Sequence, residues 1–264
     1  MLGNKYARSV LGIFLLLSAA GCVTLPPNHQ KNPQDPWESW NRGVYRVNDK
    51  LDRAFAKPVA KTYVRFVPQP LRTGVSNVMS NLNTPTVMFN DALQGKFLAA
   101  ATDLGRFLLN STVGIGGLLD PASSAGLAKN DEDFGQTLGH WGVKSGPFLE
   151  LPFLGPSDLR DAPAKVVDAY TNPRQYIHNN WVKYGLWGVD LIDRRAGLLS
   201  LDDTVSKVFD PYAFIRDAYL QRRAYLISDG RGGDEAPLED PGADEPPADS
   251  PPPPDRPAPV PPAP

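Results

Sequence analysis

The 264-residue sequence has one cysteine and three histidines, and after its N-terminal 21 residues it has no long apolar run. A single thiol, that of Cys22, excludes a disulfide within the chain. The three histidines do not follow metal-ligand spacing, and the H-E-x-x-H pattern of zinc hydrolases is absent. Because no later segment approaches 18 uninterrupted apolar residues, we expect no membrane-spanning helix.

The only cysteine closes a segment that is typical of secretory signals. Lys5 and Arg8 give a basic start, and the short run from 10 to 20 is apolar or small. A cysteine placed directly after Gly21 resembles the bacterial lipobox, in which the thiol is joined to diacylglycerol. We therefore predict a lipoprotein signal peptide over 1–21 and lipidation of Cys22. The alternative is an ordinary signal peptide that happens to contain a cysteine.

The charge balance hides two unlike parts of the chain. Residues 229–264 contain 13 prolines, nine acids and two arginines, a composition that predicts a disordered acidic tail. Residues 22–228 carry 23 basic and 20 acidic side chains without a clustered basic stripe, which argues against nucleic-acid binding. We divide the mature chain into a linker over 22–34, a helical domain over 35–228 and the tail over 229–264.

Apolar residues recur every three or four positions through this domain, which predicts amphipathic helices and an all-α fold. Asp35 and Pro36 predict one helix start, Pro58 a helix break, and Asp210 the N-cap of a last helix. No window shows the alternation of a sustained strand. The helices can be read as those of a soluble core or, because they are rich in tryptophan and tyrosine, as helices lying in a membrane leaflet.

Glycines punctuate the middle of the sequence. Gly114, Gly116 and Gly117 do not form a nucleotide-binding loop, because G-x-G-x-x-G requires glycine where Leu119 stands. Further along, "GPFLELPFLGP" between glycines predicts an apolar loop or hairpin that either pivots or packs statically on the core.

Seven blocks of sequence occur in this order: DPWESWNR, FVPQPLRTGVSNVMSNLNTP, NDALQG, RFLLNSTVGIGGLLDPA, DFGQTLGHWGV, GPFLELPFLGPSDLRD and DPYAFIRDAYLQRR. Together they resemble the VacJ/MlaA lipoprotein family. The resemblance implies a ring of helices in the inner leaflet of the outer membrane, with an amphipathic channel through its centre. It implies that the protein removes misplaced phospholipid from the outer leaflet, passes it to a soluble periplasmic lipid carrier, and associates with a trimeric porin.

A lipid channel requires a polar wall and an element that restricts it. Arg106 and Lys183, charged residues on otherwise apolar helices, are the candidates for the wall. Gly139, Gly142 and Gly146 are candidate hinges. The candidate lid consists of the apolar hairpin residues Phe148, Leu149, Leu151, Phe153 and Leu154.

Transport of this kind needs no cofactor and no chemistry on the lipid. Ser145 lacks the G-x-S-x-G context of a hydrolase nucleophile, so we do not expect an enzyme, although a phospholipase or murein hydrolase is the catalytic alternative. A non-catalytic scaffold lipoprotein, bound to porins or the cell envelope, is the second alternative. A polar path through the helices would favour transport, and a solid core would favour the scaffold.

We predict that Cys22→Ser blocks both lipidation and removal of residues 1–21, because the thiol is the site of acylation. Intact-mass measurement of the membrane fraction should show the acylated chain for the unmodified sequence only. An unmodified thiol on the membrane-bound chain would contradict the prediction.

Overall fold

The computed structural model describes residues 32–230, so Cys22, the signal segment, most of the linker and almost all of the acidic tail lie outside the described residues. Within 32–230 the fold is helical with one short hairpin, which confirms the predicted all-α class. The α-helices are α1 (Glu38–Leu51), α2 (Lys57–Phe66), α3 (Gln69–Leu93), α4 (Phe97–Thr112), α5 (Pro121–Ser124), α6 (Phe134–His140), α7 (Asp161–Thr171), α8 (Asn180–Gly197), α9 (Asp202–Lys207) and α10 (Pro211–Ile227). The strands are β1 (Phe148–Leu151) and β2 (Gly155–Asp158); 3-10 helices cover Pro173–Tyr176 and Leu199–Leu201.

The helix break predicted at Pro58 is wrong, because α1 continues into α2 through a π-helical turn at Asp52–Ala56. The amide of Lys57 donates to the carbonyl of Asp52, five residues back. Pro58 therefore falls at the start of α2, where its missing amide donor costs little. Arg195 of α8 binds the Asp52 carboxylate at 2.6 Å and fixes this turn to the neighbouring helix.

Helix α3 is the longest element and continues through Pro85 to Leu93. It packs along α4, with Gly95 at a φ of 76° in the tight turn that joins them. The loop after α4 also approaches α3 closely: a Cβ on Gly117 would lie 2.6 Å from the Cβ of Asn81, and the φ of Gly117 is 93°. A side chain at this glycine would push the loop away from α3.

The segment predicted as a loop or hairpin is an antiparallel hairpin, with Phe148 opposite Asp158 and Leu151 opposite Gly155. Asn41 of α1 donates to the carbonyl of Phe148 at 3.1 Å and accepts from the amide of Glu150 at 3.0 Å. Two turns further along α1, Asn48 donates to the carbonyl of Leu151 at 3.0 Å and accepts from the amide of Phe153 at 2.9 Å. Amide side chains of α1 thus satisfy backbone groups that an edge strand would otherwise expose.

Phe148 links the hairpin to the last helix. It is fully buried and makes edge-to-face contacts with Tyr212 and Tyr219 of α10, both at 6.1 Å between ring centroids. The hydroxyl of Tyr212 donates to Asp35 at 2.5 Å. The prediction that Asp35 caps the first helix is therefore wrong: α1 begins at Glu38, and the Asp35 carboxylate joins the start of the domain to α10.

A soluble domain buries mainly apolar side chains, whereas this fold buries mainly polar ones. Among the described residues, eight buried side chains are apolar and 21 are polar or charged. All five tryptophans are at least 36% exposed, and Phe97 and Leu98 at the start of α4 are 72% and 84% exposed. Soluble monomers rarely expose apolar surface on this scale. No helix within 32–230 combines the length and the hydropathy needed to cross a bilayer.

We predict that Phe148→Ala lowers the free energy of unfolding by about 3–5 kcal/mol, because the cavity it leaves lies between two tyrosine rings. The matched control is Phe153→Ala at the 60% exposed hairpin tip, with an expected loss of about 0.5 kcal/mol or less. Thermal unfolding of both variants in detergent measures the difference. Equal losses would contradict the assigned burial of Phe148.

Candidate functional site

A polar cavity of about 230 Å³ lies among α3, α4, α8 and the chain around residues 120–131. Apart from Met79 and Val87, its lining is polar or charged. Helix α3 contributes serine, asparagine and threonine side chains, and α4 and α8 contribute most of the charged ones. The polar lining residues of these helices are Ser76, Asn77, Ser80, Asn81, Asn83, Thr84, Asp103, Arg106, Asn110, Asp190, Asp193 and Arg194.

Helix α4 shows how the sequence builds this wall. Asp103, Arg106 and Asn110 are three and four positions apart, so they share one face of the helix, and all three are buried. Leu104 and Leu108 point elsewhere and are about half exposed. The polar stripe therefore faces the protein interior while the apolar surface of the helix faces outward.

Arg106 is held in the wall by several acceptors. It is 5% exposed and donates to Asp120 at 3.0 Å, to Ser123 Oγ at 3.2 Å and to the carbonyl of Leu127 at 2.5 Å. Asp120 caps α5 and also accepts from Asn110 at 2.9 Å. Burial opposes ionisation of Asp120, but hydrogen bonds from Ser123 and Asn110 and the charge of Arg106 lower its pKa to about 2. The ionised pair ties the loop after α4 to the cavity wall.

The opposite wall comes from α8. Asp190 accepts from Arg174 at 2.6 Å and from Arg194 at 2.8 Å, and these hydrogen bonds outweigh the effect of burial and lower its pKa. Asp193, one turn further along, accepts from the hydroxyl of Tyr63 on α2 at 3.1 Å. The two carboxylates that α8 contributes to the wall thus have different partners: arginines for Asp190 and a neutral phenol for Asp193.

A second cavity, of about 340 Å³, lies at the turn between α3 and α4. Asn130 lines both cavities. Lys96 at this turn binds Glu132 at 2.9 Å and also binds Asp229. Asp91 lines the second cavity and is 1% exposed.

Asp91 forms a carboxyl pair with Asp103 of the first cavity. Burial, the hydrogen bond to Asp103, and the negative charges of Asp103 and Glu132 raise the pKa of Asp91 to about 8. Asp103 is 2% exposed and accepts from Asn130 at 3.1 Å. Burial and the neighbouring negative charges outweigh the opposite effect of the Lys96 ammonium on this pKa. Asp91 is therefore protonated at neutral pH.

The two residues predicted for the channel wall lie in different places. Arg106 is on the wall of the first cavity, as described above. Lys183 is outside the lining of both cavities, and its ammonium donates to the carbonyl of Gln175 at 3.0 Å. Helical periodicity identifies a charge among apolar neighbours, but it does not tell which side of the helix faces the interior.

The three candidate hinge glycines are not equivalent. Gly139 lies inside α6, where a Cβ would come within 2.9 Å of Arg160 and Ile227, so close helix packing requires this glycine. Gly142 and Gly146 lie in the loop before β1 at φ values of 89° and 68°. Positive φ suits glycine in a static turn as well as in a hinge, so the hinge role stays a prediction.

The five candidate lid residues do not line either cavity in this conformation. Phe148 lies in the core, whereas Phe153 and Leu154 at the hairpin tip are 60% and 59% exposed. Between them, burial raises the pKa of Glu150 to about 7, although Asn48 donates to this carboxyl at 2.9 Å. A moving lid would therefore have to involve the tip or the whole hairpin with α1, and the lid stays a prediction.

Several cavity residues were not predicted from the sequence. The signal for the α3 wall was present: Asn77, Asn81 and Thr84 are four and three positions apart and form one polar stripe. Asp91 and Asp103 gave no such signal, because their pairing depends on how α3 packs against α4. Among residues 32–230, no group of three or more histidine, aspartate or glutamate side chains could hold a metal ion.

The chain is similar to characterised proteins over most of its length. A family model described as MlaA lipoprotein matches residues 33–226. The intermembrane phospholipid transport system lipoprotein MlaA of Escherichia coli (strain K12) is 37% identical over 244 residues, which cover 90% of this chain and 94% of that protein. The protein of the same description from Haemophilus influenzae is 33% identical over 227 residues, covering 82% of this chain and 90% of that one.

A solved structure is also similar to this chain. A chain described under "Structural basis for maintenance of bacterial outer membrane lipid asymmetry" is 38% identical and superposes with a TM-score of 0.66. The match covers 73% of this chain and 98% of the solved chain.

Proposed function

Because the chain belongs to the MlaA lipoprotein family, we propose that it serves in intermembrane phospholipid transport that maintains the lipid asymmetry of the outer membrane. In this role it extracts misplaced phospholipid from the outer leaflet. It then passes the lipid to a periplasmic carrier protein. The proposal is the one that the seven sequence blocks implied, and the family assignment itself is confirmed.

The observation that carries the proposal is the reversed burial of the domain. Exposed tryptophan and leucine side chains suit the boundary between acyl chains and head groups, while buried polar side chains suit a hydrated interior. With no helix long and apolar enough to span a bilayer among the described residues, this exterior fits a body that lies within one leaflet.

The polar cavity suggests how a lipid head group can be moved. Phospholipid crosses a bilayer slowly, because its head group loses hydrogen bonds in hydrocarbon and each unpaired polar group is costly there. In the cavity, hydroxyl, amide and charged side chains replace the water around the head group. The acyl chains remain in apolar surroundings. No bond of the lipid is made or broken, so the role requires neither a nucleophile nor a cofactor.

Anchoring and partners complete the proposal. An acylated Cys22 would hold the chain in the periplasmic leaflet of the outer membrane, since two or more acyl chains anchor a protein stably. A trimeric porin is the proposed membrane partner, and the family resemblance supports it. The exposed aromatic surface leaves room for both lipid and a protein neighbour.

The scaffold alternative predicts a solid core. The cavity among α3, α4 and α8 favours transport over a scaffold, because a polar opening in the interior weakens a purely structural fold.

We predict that Ser76→Trp, at the exposed edge of the first cavity, blocks transport and raises the amount of phospholipid in the outer leaflet. The indole fills much of a space of about 230 Å³ without disturbing a buried side chain. The matched control is Ser200→Trp, an exposed serine outside the lining. Outer-leaflet phospholipid is measured in cells whose only copy of the protein is the variant.

If the chain were a scaffold, both variants would behave as the unmodified sequence, since neither site lies in the packed core. Equal amounts of outer-leaflet phospholipid in the two variants would therefore contradict transport through this cavity. Comparable amounts of membrane-bound protein exclude a folding defect.

The hairpin is proposed as a gate, and a disulfide between its tip and α1 tests this. The Phe153 amide donates to the Asn48 side chain at 2.9 Å, so Asn48→Cys with Phe153→Cys brings two thiols together. Locking the hairpin should slow lipid transfer between vesicles by the purified double variant, and dithiothreitol should restore it. Transfer at the same rate before and after reduction would show that the hairpin does not gate.

A further inference from the structure

Both cavities carry more negative than positive charge. The first is lined by five acidic and three basic side chains, and the second by three acidic and one basic. Two acids of the first cavity form ion pairs with buried or half-buried arginines: Asp120 with Arg106, and Asp190 with Arg174, which it binds together with Arg194.

Two carboxyls on the wall of the first cavity form no ion pair within the described chain. Asp193 accepts from a tyrosine hydroxyl, and Asp103 accepts from an asparagine amide. In an interior with a lower dielectric constant than water, such groups attract a cation more strongly than exposed carboxylates do. The unbalanced negative charge is therefore concentrated on the cavity walls.

The unpaired hydrogen-bonding groups of the wall also favour a positively charged ligand. Asn81 Oδ1 on the wall of the first cavity is a buried acceptor that receives no hydrogen bond from the described chain. Asn81 is 5% exposed, so the missing donor is costly there. What the walls require from a ligand is a donor with positive charge.

We infer that the cavities select phospholipids whose head group carries a primary ammonium, such as phosphatidylethanolamine, over anionic lipids such as phosphatidylglycerol. The inference rests on the proposed function. An ammonium supplies three N–H donors and no acceptor, which matches both the carboxylates of Asp103 and Asp193 and the orphaned oxygen of Asn81. Lys129, on the wall of the first cavity, can bind the phosphate of the same head group. A head group with a phosphate but no cation adds a negative charge beside Asp103 and Asp193.

The test uses the full lipidated chain in vesicles that contain equal amounts of phosphatidylethanolamine and phosphatidylglycerol with the same acyl chains. The protein is captured in mild detergent, and the lipids retained with it are counted by mass spectrometry. We expect several-fold enrichment of phosphatidylethanolamine. Ser76→Trp should lose the enrichment, which separates cavity lipid from lipid bound to the outer surface.

Asp193→Asn tests the role of charge, because asparagine still accepts the hydrogen bond from Tyr63 while the negative charge is lost. This variant should reduce the enrichment, whereas the matched control Asp203→Asn, an exposed position outside the cavities, should not. Equal retention of the two lipids, a preference for phosphatidylglycerol, or no effect of Asp193→Asn would overturn the inference. Retention of neither lipid would instead overturn the proposed function, and the inference with it.

Discussion

The polar side chains of the interior must find their hydrogen-bond partners inside the protein, and this requirement determines how the helices meet. Arg223 of α10 binds Asp133 at 2.6 Å and Asp161 at 2.5 Å, which joins the last helix to the starts of α6 and α7. Tyr219 donates to the same Asp161 at 2.7 Å. An apolar core would tolerate small shifts of one helix against another, whereas a buried charge that loses its partner is strongly destabilising. The ionic contacts therefore give a domain with few buried apolar residues a unique arrangement.

The same constraint explains why the hairpin lies where it does. Within residues 32–230 its strand β1 pairs with β2 alone, and the side chains of Asn41 and Asn48 supply the donors and acceptors that another strand would supply. Only Phe148 adds a large apolar side chain to the fully buried core. The hairpin is thus attached by a few directional bonds at its α1 side and by the two aromatic contacts of Phe148 at its α10 side. A segment attached in this way can be released as a unit, since a small number of interactions holds it.

Sequence reasoning succeeded where local rules decide the structure. The Asp210 cap is present, with its side chain accepting from the amide of Ala213. It failed where the outcome depends on distant contacts. Pro58 does not end its helix, because the π-helical turn before it lets the helix continue. Asp35 does not cap the first helix, because its carboxylate binds Tyr212, which is 177 residues away. The cavity residues could be predicted from the sequence only in part. A charge such as Arg106 can be identified on an apolar helix, but Asp91 and Asp103 come together only after α3 and α4 have packed.

The size of the first cavity determines which part of a lipid it can hold. Pockets that enclose a whole drug-sized ligand are roughly 300–1,000 Å³, and about 230 Å³ is below that range. A head group fits this space, but two acyl chains do not. The chains must therefore follow the outside of the helices, where Phe97 and Leu98 stand beside the second cavity and expose most of their surface. The mechanism therefore requires that the cavity be open on one side toward the bilayer. Selectivity has to reside in the head-group contacts, because the acyl chains never leave surroundings like those of the membrane itself.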